Sequence, residues 1–178
     1  LEGFTANELR GVSTNAVTAR PKGIIDGNDY FFAGKAERID LAHLEGLLVQ
    51  GNIPVIPPLG FDREGNTYRL NSDDLAREVA VKLKAAKLIY VTTHDGLIHN
   101  GEVIRQIPNG KLDQILEKEP SSLQPDQLAK AHNSATACRD GIPRVHLING
   151  SVHEGLLAEV FSNTGIGTLV YVNEYRQI

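Results

Sequence analysis

Between residues 72 and 86 the apolar side chains Leu75, Val79 and Leu83 recur every fourth position, which places them on one face of a helix. Asp73 and Asp74 sit where the positive end of that helix favours acidic residues. Leu88, Ile89, Tyr90 and Val91 follow as an unbroken apolar run, the pattern of a parallel strand covered on both faces, and residues 92–97 form a loop at its carboxyl end. Pro125 suits the first turn of a helix reaching Arg139, Gly141 stops it, and a strand spans residues 144–148. Ser151 and Glu154 have the spacing of a capping box. The helix they open carries Leu156, Leu157, Val160 and Phe161 inward, ends at residues 163–165 and precedes a strand at 168–172. Helices and strands that alternate in this way predict a three-layer αβα open sandwich with a mainly parallel sheet.

The first part of the chain reads differently. Residues 15–20 alternate as a strand does, and after the turn-rich GIIDGNDY a second extended run at 31–33 completes an edge hairpin. Asp40 caps a helix with Leu41, Leu44, Leu47 and Leu48 on one face, which Gly51 and Asn52 end. A buried strand at 53–56 and a tight turn at Glu64, Gly65 and Asn66 follow. Asn100 and Gly101 centre another hairpin, and residues 111–118 form a short helix. Residues 1–14 have weak periodicity and two glycine breaks, and receive no assignment.

Length and charge narrow the function. A chain of 178 residues suits one domain or most of one. A net charge of -4 offers nucleic acid or an anionic membrane no broad attraction, and no run approaches the ~20 apolar residues that span a bilayer. With no signal-peptide core in its first ten residues, the chain is expected in the cytoplasm. Methionine is absent, position 1 included, as expected of a fragment. The single cysteine, Cys138, falls in an apolar helical pattern and reads as a packed thiol.

In an open α/β sheet, ligands collect beyond the carboxyl ends of the strands. Asn71 and Asp73 open the long helix, where they either meet a polar ligand or cap the helix. Lys130 either points a charge towards phosphate or is an ordinary solvated helix lysine. His146 at a strand end and Glu159 on the next helix can approach the turn formed by Gly165 and Gly167, and a carboxylate there is a natural partner for a guanidinium. The plain alternative is a surface glutamate beside a helix stop. His43, His94, His99, His132 and His153 lack metal-ligand spacing, so no metal is assigned. No serine lies in a nucleophile elbow and no glycine loop opens a helix as a phosphate cradle.

The run NAVTARPKGIIDGNDYFFAGKAERID resembles the central signature of bacterial N-acetylglutamate synthases, which join an amino-acid-kinase-like domain to an acetyltransferase domain. LNSDDLAREVAVKLKAAKLIYVT, TACRDGIPRVHLING and EGLLAEVFSNTGIGTLV continue the resemblance over about nine-tenths of the chain, and the wider acetylglutamate kinase family shares much of it. The resemblance implies an amino-acid-kinase-like fold, incomplete at its N-terminus, with a hairpin-rich part at 15–70, a nucleotide-side and arginine-sensing part at 71–173, and a linker starting at 174–178. It implies that Asn71, Asp73 and Lys130 are the remnant of a kinase site. Thr93 stands where the kinases carry aspartate, which opposes phosphotransfer. It implies that His146, Glu159 and Gly165 form a site for L-arginine. The parent is then an oligomer that acetylates L-glutamate from acetyl-CoA in a domain outside this chain, so this chain holds no catalytic residue. The alternatives are a fragment of an acetylglutamate kinase and a non-catalytic amino-acid-binding module.

Overall fold

The structure is a computed structural model that describes residues 2–161 and 165–172. The chain divides within one helix, between Leu75 and Ala76, into two compact units.

The first unit starts with a short helix, α1 (Glu2–Ala6), and strand β1 (Arg10–Ser13). Strand β2 (Val17–Pro21) leads through the small hairpin β3 (Ile24–Ile25) and β4 (Asn28–Asp29) to β5 (Gly34–Ile39). β2 and β5 pair antiparallel, but the second strand begins at Gly34 rather than at 31–33, where Phe31 takes a left-handed φ of 45°. Helix α2 (Leu41–Val49) has Asp40 as its N-cap, whose carboxylate accepts from the His43 amide. Of the four leucines expected on its inner face only Leu44 is buried, and Leu48 is 48% exposed. β6 (Asn52–Val55) then pairs in parallel with β1. β7 (Leu59–Phe61) and β8 (Thr67–Arg69) form the hairpin read from the turn residues, completing a four-stranded sheet of order β5-β2-β7-β8. The Asp62 carboxylate organises its turn by accepting from the amides of Glu64 and Asn66 and from the Tyr68 hydroxyl.

Helix α3 (Ser72–Lys82) is shorter than the predicted span. Lys84 adopts a left-handed conformation (φ 51°), and the Ala85 amide turns back onto the Ala80 carbonyl, which ends the helix before the last apolar position can extend it.

The second unit is built on a four-stranded sheet of order β12-β14-β13-β9. β9 (Leu88–Thr92) is followed by the hairpin β10 (Ile98–His99) and β11 (Glu102–Val103), then β12 (Gln106–Pro108) and helix α4 (Asn109–Lys118). Helix α5 (Leu128–Arg139) ends where Gly141 takes a positive φ, and strand β13 (Arg144–Asn149) follows. β13 pairs in parallel with β9 and antiparallel with β14 (Thr168–Tyr171), which in turn pairs in parallel with β12. The sheet is therefore mixed, because the chain reverses after β13 despite a helix in between.

Since successive strand residues point to opposite faces, β13 serves two layers at once. Val145 and Leu147 join Leu88, Tyr90, Leu112, Ala135 and Cys138 in the main core. The Cys138 thiol is 4% exposed, and burial, reinforced by Asp113, pushes its pKa up to about 11, as befits a packed thiol. His146 and Ile148 face the other way, towards helix α6 (Gly155–Phe161).

The reading of α6 needs two corrections. Glu154 has a left-handed φ of 55° just before the helix, and the Ser151 amide is bound to the Asn149 side chain, so no capping box forms. The apolar residues are also not inward: Leu156, Leu157 and Phe161 are 50, 56 and 80% exposed, while Gly155 and Glu159 are buried. At about 100° per residue, a helix that turns positions 155 and 159 to the sheet must turn 157 and 161 away. The hydrogen bonds of Glu159 fix that rotation.

Candidate functional site

Glu159 is an acid on the inner face of a helix, 6% exposed, and each of its oxygens is held. Oε1 is 2.8 Å from His146 Nδ1 on the central strand. Oε2 accepts from the amide of Ile166 at 2.7 Å and from that of Gly167 at 2.8 Å. Burial by itself raises the carboxyl's pKa, but the hydrogen bonds from His146, Gly167 and Ile166, with the attraction of the imidazole, outweigh it and hold the group below the usual carboxylate range. At neutral pH the site therefore contains a buried negative charge. Gly165 closes the third side: its φ is 59°, and a Cβ there would lie 2.9 Å from Glu159 Oε2. Only glycine satisfies both demands.

His146 is 5% exposed, and its Nε2 has no hydrogen-bond partner among the described residues. Nδ1 faces the carboxylate, so Nε2 is the ring atom left for a ligand to meet. The structure thus brings the three residues together, His146 and Glu159 at hydrogen-bonding distance and Gly165 packed against the carboxylate.

The other candidates lie elsewhere. Asn71 is the N-cap of α3, its Oδ1 accepting from the amides of Asp73 at 2.9 Å and Asp74 at 3.0 Å. Such a cap contributes about 1 kcal/mol to the helix. This pair belongs to the first unit. Lys130, on α5 in the second unit, lines a cavity of about 420 Å³ beyond the carboxyl end of β9, together with Thr92, Thr93, His94, Gly96 and Gln127. His94 Nε2 is 3.1 Å from Asp126 Oδ2 at the cavity wall. A second, open cavity of about 590 Å³ in the first unit is bordered by Thr18, Arg38 and Arg63.

Two polar residues escaped the sequence reading. Gln127 is 4% exposed and Thr168 is fully buried. A glutamine after a proline and a threonine opening a strand carry no local signal, because their partners lie 29 to 71 residues away. Among the described residues no group of three or more His, Cys, Asp or Glu is placed to hold a metal ion, and no helix is long and apolar enough to cross a membrane.

A profile of the amino acid kinase family matches residues 2–149, most of the chain. The chain belongs to the amino acid kinase family. Within that family it is 35% identical over 142 residues to an acetylglutamate kinase of Kosmotoga olearia, covering 80% of this chain and 50% of the relative. It is also 35% identical over 182 residues to an amino-acid acetyltransferase of Vibrio atlanticus, covering 98% of this chain and 41% of that protein. The chain thus spans half or less of these curated relatives. Among solved structures, N-acetylglutamate synthase from Neisseria gonorrhoeae complexed with coenzyme A and L-arginine superposes with a TM-score of 0.84 at 34% identity, covering 92% of this chain and 38% of that one. The same enzyme complexed with coenzyme A and N-acetyl-glutamate gives 0.88 at 33% identity, covering 96% and 39%. The amino-acid-kinase fold is therefore that of this chain, with a mixed sheet in each of its units.

Proposed function

We propose that this chain is the amino-acid-sensing, kinase-like part of an N-acetylglutamate synthase. The parent protein transfers acetyl from acetyl-CoA to L-glutamate in a domain outside this chain, and L-arginine bound at His146, Glu159 and Gly165 regulates it. The observation that carries this reading is the buried, ionised Glu159 beside an imidazole whose Nε2 has no hydrogen-bond partner among the described residues. A guanidinium is a planar fork of donors suited to a carboxylate. Oε1 accepts from His146 and keeps a second lone pair for such a donor. The Neisseria complex that contains L-arginine supports the same effector.

A second reading, a fragment of an acetylglutamate kinase, is favoured by Lys130 in the cavity beyond β9 and by the Kosmotoga relative. An assay of the intact protein separates the two. The expected result is acetyl-CoA-dependent acetylation of L-glutamate with a rate that responds to L-arginine, and a half-maximal arginine concentration at least tenfold higher in Glu159→Gln. ATP-dependent phosphorylation of N-acetylglutamate without acetylation overturns the first reading.

A further inference from the structure

We propose that the turn formed by residues 165–168 is a latch coupling the Glu159 carboxylate to the wall of the cavity beyond β9, with Thr168 as the positioning residue that transmits its movement. The identity of the ligand that trips the latch rests on the reading of Glu159 as an L-arginine site; the latch itself rests on the hydrogen bonds alone.

Its near end is Glu159 Oε2, which holds the amides of both Ile166 and Gly167. A ligand that binds Oε1 and draws the carboxylate towards itself pulls Oε2 away from two donors of one turn together. The next residue, Thr168, is the far end. Its Oγ1 accepts from the Leu97 amide at 2.7 Å and donates to the Ile104 carbonyl. Gly96 lies directly against this hydroxyl, for a Cβ at position 96 would come within 2.4 Å of Thr168 Oγ1. Gln127 grips the other side of the same loop: its Nε2 donates to the Gly96 carbonyl at 2.9 Å and its Oε1 accepts from the Ile98 amide at 2.9 Å. Gly96 and Gln127 are themselves part of the cavity wall, next to Lys130.

This network is buried. Thr168 and Leu97 are fully buried, and Gln127 nearly so. A buried donor or acceptor cannot drift out of its bond without losing more than it gains, so such a network exchanges between discrete arrangements. When Ile166 and Gly167 lose Oε2, the turn that precedes Thr168 loses two of its anchors and keeps the bond that Arg105 donates to the Ile166 carbonyl. The hydroxyl that holds Leu97 then shifts, and Gly96 moves with it. Coupling of this kind is reciprocal and usually amounts to a 5- to 150-fold change in affinity.

Amide hydrogen exchange on the intact protein tests the latch without any ligand. In Glu159→Gln, exchange at Ile166 and Gly167 is expected to rise at least tenfold, and exchange at Leu97 to rise with it, while Ala131 and Ala135 in α5 keep their wild-type rates. Leu97 unchanged while Ile166 and Gly167 accelerate overturns the proposal. If Glu159→Gln loosens α5 as well, the reverse direction decides. Thr168→Val is expected to accelerate Ile166 and Gly167 as well as Leu97, and Thr168→Ser to restore all three; a response confined to Leu97 overturns the latch. L-Arginine added to the wild-type protein is expected to reproduce the Glu159→Gln pattern. If it does not, while both substitutions do, the latch stands and the assignment of arginine falls.

Discussion

Replacing Glu159 with alanine destabilises the protein by about 3–5 kcal/mol, since each buried donor left without an acceptor costs about 1–3 kcal/mol. The substitution removes one carboxylate but strands three donors: the His146 ring and the amides of Ile166 and Gly167. On sequence alone Glu159 either faces a ligand or lies at the surface, and in both cases alanine spares the fold; its burial makes the side chain structural as well. Glutamine keeps one carbonyl oxygen and costs less. Urea denaturation measured against pH separates charge from shape. The folded pKa of Glu159 is lowered, so its contribution is complete above the unfolded glutamate value of about 4.3 and is lost as the pH falls through the folded value. The stability difference between wild type and Glu159→Gln is therefore expected to be constant above about pH 5 and to shrink in stronger acid. An alanine variant as stable as wild type at pH 7 would contradict the hydrogen-bonded role.

Gly167→Ala is expected to cost about 3 kcal/mol, at the upper end for overpacking. A Cβ at this position would lie 2.1 Å from the Leu147 carbonyl oxygen and 3.0 Å from its carbon, which are backbone atoms of the central strand and cannot rotate aside. The displaced turn also takes the Gly167 amide away from Glu159. Gly110→Ala provides the control, since a Cβ there meets nothing within 4 Å and the residue lies in α4. That substitution is expected to be neutral or to stabilise by up to about 1 kcal/mol. Thermal unfolding of the two variants should differ in that order, and equal midpoints would contradict the close approach.

Much of the fold is legible along the chain wherever an element carries its own signal. The continuous apolar run of β9, the period of α3, the glycine stop of α5 and the turn residues between β7 and β8 all register locally. What is not legible depends on partners distant in sequence. The rotation of α6 is the clearest case: its hydrophobic residues predict an inward apolar face, yet the face is chosen by hydrogen bonds from a strand 13 residues earlier and a turn 7 to 8 residues later. The shortened end of α3 is similar, because a lysine rather than a glycine adopts the left-handed position. For the candidate site, spacing and resemblance point to His146, Glu159 and Gly165, whereas Thr168 and Gln127 emerge only once the sheet brings residues 96–98 beside them.

The central claim is that the buried acid and imidazole receive a cationic amino acid, and calorimetric titration of L-arginine into the intact protein tests it directly. The account predicts saturable binding by the wild type, at least tenfold weaker binding by folded Glu159→Gln, equivalent to about 1.4 kcal/mol or more, and no competition from L-citrulline, which keeps the shape but lacks the charge. No detectable binding of arginine, or equal affinity in wild type and a folded Glu159→Gln variant, would contradict it.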